Sequence, residues 1–398
     1  MQPDNYSYQP GDLEKLSEEI LSYTPRPNTT DCIPAICVYK IEKVLFSHPS
    51  RIIFAREVIS GRRVVIKVLT EESNPRYDLS TIGKRQQAQL YALQWNKLIT
   101  PDVYLGLAPV SDRVLNCFSP KGVIELGQII ENPEAENLDT SSEYAVVMLC
   151  LPEDLQLSSL LKYGLSSFRS HYVSLVTRRI ANMHQMLEAL PISMDSGKDW
   201  GSCQQLQGKL RQNIHLASSL LATHPTHQAI FKSVSESLLE VFGYSIYQRY
   251  FEQRRLDGYI KRCHGDLKTQ NIWIVHDRLS EESQEDVKIL DAIDFNPTFA
   301  NIDILSDFAM LVVDIQARTS SVVLAENMIE WYLKWTYQEN DLARFVLDYY
   351  LLEKILIRSA IRSASENLPE PDQTFLQIAR GHLERFHSRI SSRQFTRI

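Results

Sequence analysis

The fold is decided by one short stretch of the sequence, Cys263-His264-Gly265-Asp266-Leu267-Lys268-Thr269-Gln270-Asn271. Asp266 and Asn271 lie five residues apart, on a loop that leads into a predicted strand, Ile272–Val275. An aspartate in such a loop can accept a hydroxyl proton, and an asparagine carbonyl can face a metal ion, since Mg²⁺ prefers oxygen ligands. This combination is typical of phosphoryl transfer, which depends on positioning and electrostatics more than on covalent help from the protein.

A second predicted strand, Val287–Leu290, continues the pattern beyond the loop. It ends in Asp291, and Asp294 follows three residues later. A carboxylate at the end of a strand beside that loop is a suitable second ligand for a metal ion, and the spacing alone leaves both aspartates as candidates.

The N-terminal part of the chain is rich in strand patterns. A helical pattern, Leu79–Leu98, interrupts them, and Ser60-Gly61 is a hairpin turn signal. The predicted strands are Ala35–Phe46, Arg51–Ile59, Arg62–Leu69, Tyr104–Val110, Gly122–Ile130 and Tyr144–Leu151. Pro152 ends the last of them.

Beyond Pro152 the apolar residues recur at three- and four-residue spacing, which is typical of amphipathic helices. The helical stretches are Arg169–Leu190, Gln204–Leu221, Gln228–Leu256, Val322–Glu366 and the tail Gln373–Ile398. One β-rich island, Ile260–Phe295, holds the loop described first. We therefore predict an α+β, two-lobed protein-kinase-like fold with an N-terminal extension (1–34), a strand-rich N-lobe that clamps a nucleotide (35–150) and a mostly helical C-lobe (151–398).

Composition narrows the class of protein. The 398 residues carry a formal net charge of −7, which argues against a general nucleic-acid binder because no basic excess neutralises phosphates. The sequence shows no apolar run long enough to span a bilayer and no signal-peptide pattern. The six cysteines have no zinc spacing, so we expect reduced thiols, a cytoplasmic location, and neither a membrane nor a nucleic-acid partner.

His264-Gly265-Asp266 with Asn271 resembles the His-x-Asp-x-x-x-x-Asn loop that aminoglycoside phosphotransferases share with protein kinases. The run from Leu290 to Pro297, followed by Ile302-Asp303 and Ser306-Asp307-Phe308-Ala309, is similar to the aminoglycoside phosphotransferase-like domain that is often fused ahead of a P-loop kinase. Further similar stretches are Thr100–Gly106, Glu143–Met148 and Arg179–His184. The resemblance covers roughly residues 40 to 360.

The resemblance implies an ATP- and Mg²⁺-dependent kinase in which Asp266 is the catalytic base and Asn271 is a metal ligand. It favours Asp291 as the second metal ligand and keeps Asp294, which precedes Phe295, as a candidate. It also implies that Lys67 on the third strand binds the nucleotide phosphates. The alternative for Lys67 is an ordinary solvated lysine on a strand.

Further nucleotide contacts follow from the same resemblance. Ser47 and Ser50 lie in the nucleotide loop Phe46–Arg51. Met148 and Cys150 lie in the segment Met148–Leu151, the hinge between the lobes, whose backbone would face adenine. Among the other polar residues, His264, Asp303 and Asp307 are expected to support the loop. Lys268 is either a contact to the transferring phosphoryl group or a surface lysine.

The sequence departs from the family pattern in three respects. No acidic residue occurs between Leu79 and Leu98, where a glutamate would pair with Lys67, although a glutamine there could still bond to the lysine. The nucleotide loop is not rich in glycine, and no Gly-Lys pair is followed by Ser or Thr, so the sequence contains no P-loop kinase motif.

Two hypotheses of different classes follow. The first is a phosphotransferase that acts on a hydroxyl of a small molecule, and the second is a catalytically weak nucleotide-binding module of the pseudokinase type. A protein kinase is a third and weaker hypothesis, because the long helical segment Gln204–Leu256 ahead of the loop favours the small-molecule branch.

Overall fold

The computed structural model describes most of the chain, and its N-terminal extension lies outside the described residues. The described residues are 36–47, 49–74, 77–115, 122–163, 166–193, 198–220, 225–276, 285–293, 296–365 and 373–394. They divide into two compact units, one formed by the chain up to Leu93 together with Asp102–Cys150, and the other by Gln94–Pro101 together with Leu151–Ile398. The end of the helix 82–99 therefore belongs to the second unit, which the sequence pattern did not indicate.

The first unit is a closed antiparallel sheet with a helix packed beside it. Its strands and helices are β1 (Cys37–Ser47), β2 (Ser50–Glu57), β3 (Arg63–Leu69), β4 (Ser73–Asn74), β5 (Tyr77–Asp78), α1 (Ile82–Ile99), β6 (Tyr104–Val110), α2 (Asp112–Leu115), β7 (Val123–Leu126) and β8 (Glu143–Leu149). The strand order in the closed sheet is β1-β2-β3-β8-β6-β7. Alternating residues such as Ile53, Ile66 and Val147 are fully buried inside it, as expected for strands with one face on a core.

The second unit is mostly helical. Its elements are α3 (Leu157–Tyr163), α4 (Ser166–Met186), α5 (Cys203–Leu220), α6 (Pro225–Val241), α7 (Ser245–Leu256), β9 (Ile260–Arg262), β10 (Ile272–His276), β11 (Glu285–Ile289), α8 (Pro297–Ala300), β12 (Asn301–Asp303), α9 (Ile304–Thr319), α10 (Val322–Trp335), α11 (Asp341–Ser365) and α12 (Gln373–Gln394). A strand-rich unit followed by a helical one confirms the predicted α+β class.

Two predicted helical stretches are each interrupted. Gln228–Leu256 breaks between α6 and α7 at a turn that contains Gly243, and Val322–Glu366 breaks between α10 and α11, where Tyr337 has a positive φ of 56°. Hydrophobic periodicity continues across both breaks because each flanking helix buries its own apolar stripe in the same core. Of the described helices, none has the length and apolarity that a membrane span requires.

The core of the second unit is dominated by aromatic rings. Phe308 on α9 stacks on Tyr332 of α10 with ring centroids 3.8 Å apart, and Phe345 on α11 stacks on Tyr247 of α7 at 4.5 Å. Burial of such rings supplies much of the hydrophobic stabilisation of a domain. α9 lies at the centre of this packing, and its polar residues support the candidate site.

Candidate active site

The stretch Cys263–Asn271 forms a tight loop between β9 and β10. Gly265 in this loop has φ +83°, and a Cβ built on it would lie 2.8 Å from the carbonyl oxygen of Phe299. A side chain at this position would therefore meet both backbone strain and a steric clash. Glycine is required here so that His264 and Asp266 can take their places on either side.

A buried carboxylate on α9, Asp307, fixes the first half of the loop. Its oxygens accept hydrogen bonds from the backbone N–H groups of His264 at 3.1 Å and Gly265 at 2.9 Å, and contact His184 Nε2 at 3.1 Å. Burial raises the pKa of Asp307, but the hydrogen bond and charge of His184 outweigh it, so the pKa is lowered overall. The predicted supporting role of Asp307 is confirmed.

A second buried carboxylate on α9, Asp314, fixes the other half of the loop. Thr269 donates to Asp314 Oδ2 from its backbone N–H at 2.9 Å and from its hydroxyl at 2.6 Å. Burial raises the pKa of Asp314, and ion pairs with Arg358 and Arg318 lower it further than burial raises it. Asp314 lies seven residues after Asp307, two helical turns along the same face of α9. Asp314 was not predicted from the sequence, although this i, i+7 spacing was visible in it.

His264 links the loop to the end of β11. Its Nε2 lies 2.9 Å from the carbonyl oxygen of Leu290 and must donate, because a carbonyl can only accept. Its Nδ1 then accepts the backbone N–H of Asp266 at 3.3 Å. Both ring nitrogens of this fully buried side chain are thus hydrogen-bonded, which confirms the predicted structural role of His264.

Asp303, the other carboxylate expected to support the loop, stabilises a neighbouring element instead. It accepts the backbone N–H of Leu305 at 2.8 Å as the N-cap of α9, and it forms a buried ion pair with Arg254, whose Nη2 lies 2.8 Å from Oδ1. A cap of this kind satisfies a backbone donor at the start of a helix. Asp303 therefore positions α9, from which Asp307 and Asp314 reach the loop.

Asp266 and Asn271, which the sequence places in one loop, contact each other in the structure. Asn271 Nδ2 donates to the backbone oxygen of Asp266 at 3.0 Å and lies 3.4 Å from its Oδ2. Since both partners are acceptors, the amide nitrogen of Asn271 must face Asp266, and Asn271 Oδ1 points away from Asp266. Lys268 Nζ lies 2.5 Å from the same Asp266 Oδ2 in a partly exposed ion pair, so Lys268 is next to the candidate base.

Asp291 lies at the same end of the β10–β11 ladder as Asn271. Ile272 pairs with Ile289 in this antiparallel ladder, and the backbone N–H of Leu290 donates to Asn271 O at 2.8 Å. Asp291 is exposed and has φ +64°, an uncommon conformation for a residue other than glycine. Such conformations cluster at functional sites. The other candidate, Asp294, lies outside the described residues.

The turn that carries Asp291 is held on both sides. The backbone N–H of Ala292 donates to Asn96 Oδ1 at 3.0 Å, and that of Ile293 donates to His264 O at 2.9 Å. Thr100 forms two hydrogen bonds with Ile289. This role of Asn96 was not predicted from the sequence either, because no local pattern links Asn96 to a residue 196 positions later.

The residues present fit a magnesium ion. Asn271 Oδ1 and the Asp291 carboxylate are hard oxygen donors at one end of a ladder, which is the ligand type that Mg²⁺ prefers. A different group of possible ligands, His184, Cys263 and Asp307, does not fit a metal as well. Burial raises the pKa of the Cys263 thiol, and a metal ligand must be a thiolate.

The predicted nucleotide residues lie on the sheet of the first unit. Lys67 lies on β3 opposite Val146 of β8, and Met148 pairs with Val65. Cys150 follows β8, and its backbone N–H donates to Arg63 O at 3.1 Å. Ser47 and Ser50 pair across the β1–β2 turn.

Arg51 lies directly after that turn and was not among the nucleotide contacts predicted from the sequence. Its side chain is buried, and its guanidinium lies over the Phe46 ring, 5.4 Å from the centroid.

The missing helix glutamate is replaced by an amide with a different partner. Gln89 Nε2 on α1 donates to the backbone oxygen of Lys67 at 3.0 Å and lies 3.4 Å from that of Tyr144. It therefore fixes the strand that carries Lys67 rather than the ammonium group. Arg85, one turn earlier on α1, forms a buried ion pair with Glu143, Nε to Oε1 2.9 Å, which holds the helix on β8.

Neither the models of known protein families nor the sequences of curated proteins give a match to this chain. Solved structures do give matches, and the three described next share 9–13% identity with this chain. Choline kinase from Cryptosporidium parvum Iowa II matches with a TM-score of 0.45 and 11% identity over 89% of each chain. Plasmodium vivax ethanolamine kinase matches with a TM-score of 0.42 and 9% identity, over 88% of this chain and 84% of the kinase. The GDP complex of wild-type aminoglycoside 2'-phosphotransferase-IIIa matches with a TM-score of 0.36 and 13% identity, over 95% of this chain and 98% of that protein. Similarity at this level does not by itself assign a function to this chain.

Proposed function

We propose that this chain is a small-molecule kinase that transfers a phosphoryl group from ATP to a hydroxyl group. The single observation that carries the proposal is the cluster at one end of the β10–β11 ladder, where the Asp266 carboxylate contacts Asn271 Nδ2 and Lys268 Nζ. Phosphoryl transfer needs a base or orienter beside oxygen ligands for a metal, and this cluster supplies both.

In this proposal each side chain has one role. Asp266 accepts the proton of the acceptor hydroxyl, and Lys268 compensates the charge that develops on the phosphoryl oxygens. Asn271 and Asp291 hold Mg²⁺, which when bound neutralises charge on the nucleotide phosphates. Lys67, Ser47 and Ser50 bind the phosphates, and the backbone of Met148 to Cys150 faces the base of the nucleotide.

The rigidity of the loop supports a role in catalysis. Asp266 follows a glycine with positive φ, and two buried carboxylates, Asp307 and Asp314, fix the backbone on either side of it. Preorganised groups lower the barrier because they need no reorganisation during the reaction. A loop that only supported the fold would not need such restraint around a partly exposed carboxylate.

The second candidate function is a nucleotide-binding module without turnover. It is favoured by Gln89, because its amide holds the Lys67 carbonyl where a glutamate would hold the ammonium group. In this case the same residues bind Mg-nucleotide, but no phosphoryl group is transferred from the nucleotide to an acceptor.

One experiment separates the two candidates. The purified chain is incubated with Mg-ATP, or Mg-GTP in parallel, and a panel of amino alcohols, sugars and aminoglycosides, and phosphate transfer is followed by mass spectrometry. We expect transfer to at least one acceptor, and Asp266→Asn should lower kcat about 10²- to 10⁴-fold, the usual contribution of a general base. The control Asp257→Asn changes an exposed carboxylate at the end of α7 and should leave kcat unchanged.

If Mg-nucleotide raises the melting temperature and no acceptor gains phosphate, the binding module is the better description. If turnover occurs and Asp266→Asn leaves it intact, Asp266 is not the base.

A further inference from the structure

The second unit contains a pocket with mainly apolar walls. Its volume is about 420 Å³, within the range of small-molecule sites. Leu98 and Ile99 at the end of α1 form one wall, and Met183, Met186 and Leu187 at the end of α4 form another. Leu98 and Met186 are 64% and 79% exposed, although both are large apolar side chains. We therefore take Leu98 and Met186 as the entrance to the pocket.

Two arginines line the same pocket. The Arg262 guanidinium lies over the Trp95 ring, 4.1 Å from its centroid, and Arg179 Nη2 donates to Ile99 O at 2.6 Å. Glu188 is the acidic residue among the lining residues and is exposed, so the lining carries a net charge of about +1. An anion in the pocket would be attracted by this charge.

The surroundings of Arg179 favour such an anion. Burial lowers the pKa of Arg179, and Asp286 raises it by a smaller amount. The Asp286 carboxylate is itself paired with Lys288 Nζ at 2.5 Å. A desolvated cation of this kind is stabilised when a ligand brings a charge of opposite sign.

Trp95 gives independent support for a ligand site in this pocket. Its Nε1 is a buried hydrogen-bond donor, and among the described residues no acceptor lies within reach of it. Buried donors in native proteins nearly always have a partner. A ligand in the pocket that Trp95 lines could supply the acceptor oxygen.

We propose that this pocket binds a small carboxylate that carries an apolar chain or ring. The carboxylate would meet the arginines, and the apolar part would pack against the leucine and methionine side chains. A carboxylate fits better than a phosphate monoester because a dianion loses more hydration energy in walls that are mainly apolar. The site is separate from the phosphotransfer residues, and its existence does not depend on the proposed activity.

Two lining residues of the pocket are adjacent in sequence to residues that support the candidate active site. Trp95 precedes Asn96, which holds the backbone N–H of Ala292 beside Asp291. Arg262 precedes Cys263, where the loop begins. A ligand that steadies Trp95 and Arg262 should therefore steady the turn that carries Asp291, so that its backbone amides exchange hydrogen more slowly.

The binding test uses octanoate as the probe, with octan-1-ol and octyl phosphate as comparisons, measured by calorimetry on the full chain. We expect octanoate to bind at least about tenfold more tightly than either, a difference of ~1.4 kcal/mol. Met186→Glu places a negative charge at the entrance and should weaken octanoate binding about tenfold, whereas Met186→Gln should weaken it only about two- to threefold. Tyr163→Glu, at an exposed position on α3, is the control and should bind like the native chain.

Equal binding of octanoate and octan-1-ol, or equal binding by the Met186→Glu and Met186→Gln variants, would overturn the proposed anion site. Tighter binding of octyl phosphate would replace the carboxylate with a phosphate. Hydrogen exchange of residues 289–293 with and without octanoate tests the link to the turn, and unchanged exchange at saturation would disprove that link.

Discussion

Gly265 lies between His264, which supports the loop, and Asp266, the candidate base. Its φ of +83° and the 2.8 Å approach of the Phe299 carbonyl leave no room for a side chain. We expect Gly265→Ala to lower the free energy of unfolding by at least about 1–2 kcal/mol, the cost of a left-handed conformation with a Cβ. Urea unfolding measures this loss.

Gly208 provides the matched control, since it lies within α5 and a Cβ there would meet open space. Gly208→Ala should stabilise the chain by roughly 0.5–1 kcal/mol, because alanine favours a helix over glycine. A Gly265→Ala protein as stable as the native chain would show that the loop can relax around a side chain.

His382 makes stability depend on pH. It is buried on α12, its Nε2 lies 2.9 Å from Gln316 Oε1, and burial together with the Arg385 charge lowers its pKa to about 3. Between pH 6.5 and 3 the unfolded chain binds a proton that the folded chain excludes, so stability falls as the pH falls through this window. At pH 5 the loss is about 2 kcal/mol relative to neutral pH.

The measurement compares urea unfolding at pH 7 and pH 5 for the native chain and for His382→Gln. The variant should lose about 2 kcal/mol less than the native chain over this step. An equal loss in both proteins would assign the pH dependence to other groups.

At the scale of the elements, the end of α1 positions the turn that carries Asp291. Asn96 and Thr100 hold Ala292 and Ile289 on either side of Asp291. Asn96→Ala leaves the buried N–H of Ala292 without its acceptor, which should cost about 1–3 kcal/mol. It should also lower kcat, because the turn loses its fixed position.

Asn96→Asp is the matched variant, because a carboxylate still accepts the hydrogen bond. It should retain more stability and more activity than Asn96→Ala in thermal melts and turnover assays. If the two variants behave alike, the bond to Ala292 does not position the turn.

For the whole molecule, nucleotide binding and stability are linked. A ligand at 100 times its Kd stabilises the folded chain by about 2.7 kcal/mol. If Asp291 holds Mg²⁺, Asp291→Asn should abolish the part of this stabilisation that requires Mg²⁺. Asp266→Asn should keep it while turnover is lost, because the base does not bind the metal. Thermal melts with ADP, with and without Mg²⁺, distinguish these cases, and identical melts for both variants would contradict the separate roles.

Much of this organisation could be predicted from the sequence because it is local. The alternating pattern of β2 and β3 and the helical periodicity of α5 follow from residues close together in the chain. The five-residue spacing likewise placed Asp266 and Asn271 in one loop, where the structure shows them in contact.

The helix breaks at Gly243 and Tyr337 were not predictable from periodicity, since the apolar stripe continues across them. The partners of distant residues were not predictable either. Asn96 reaches Ala292, Asp314 reaches Thr269, and Gln89 holds the Lys67 carbonyl across many residues of sequence. The sequence by itself therefore determined the kind of loop and the candidate base, because their spacing is short. Only the tertiary structure decided what holds that loop and what lines the second pocket, because those contacts form when separate elements pack.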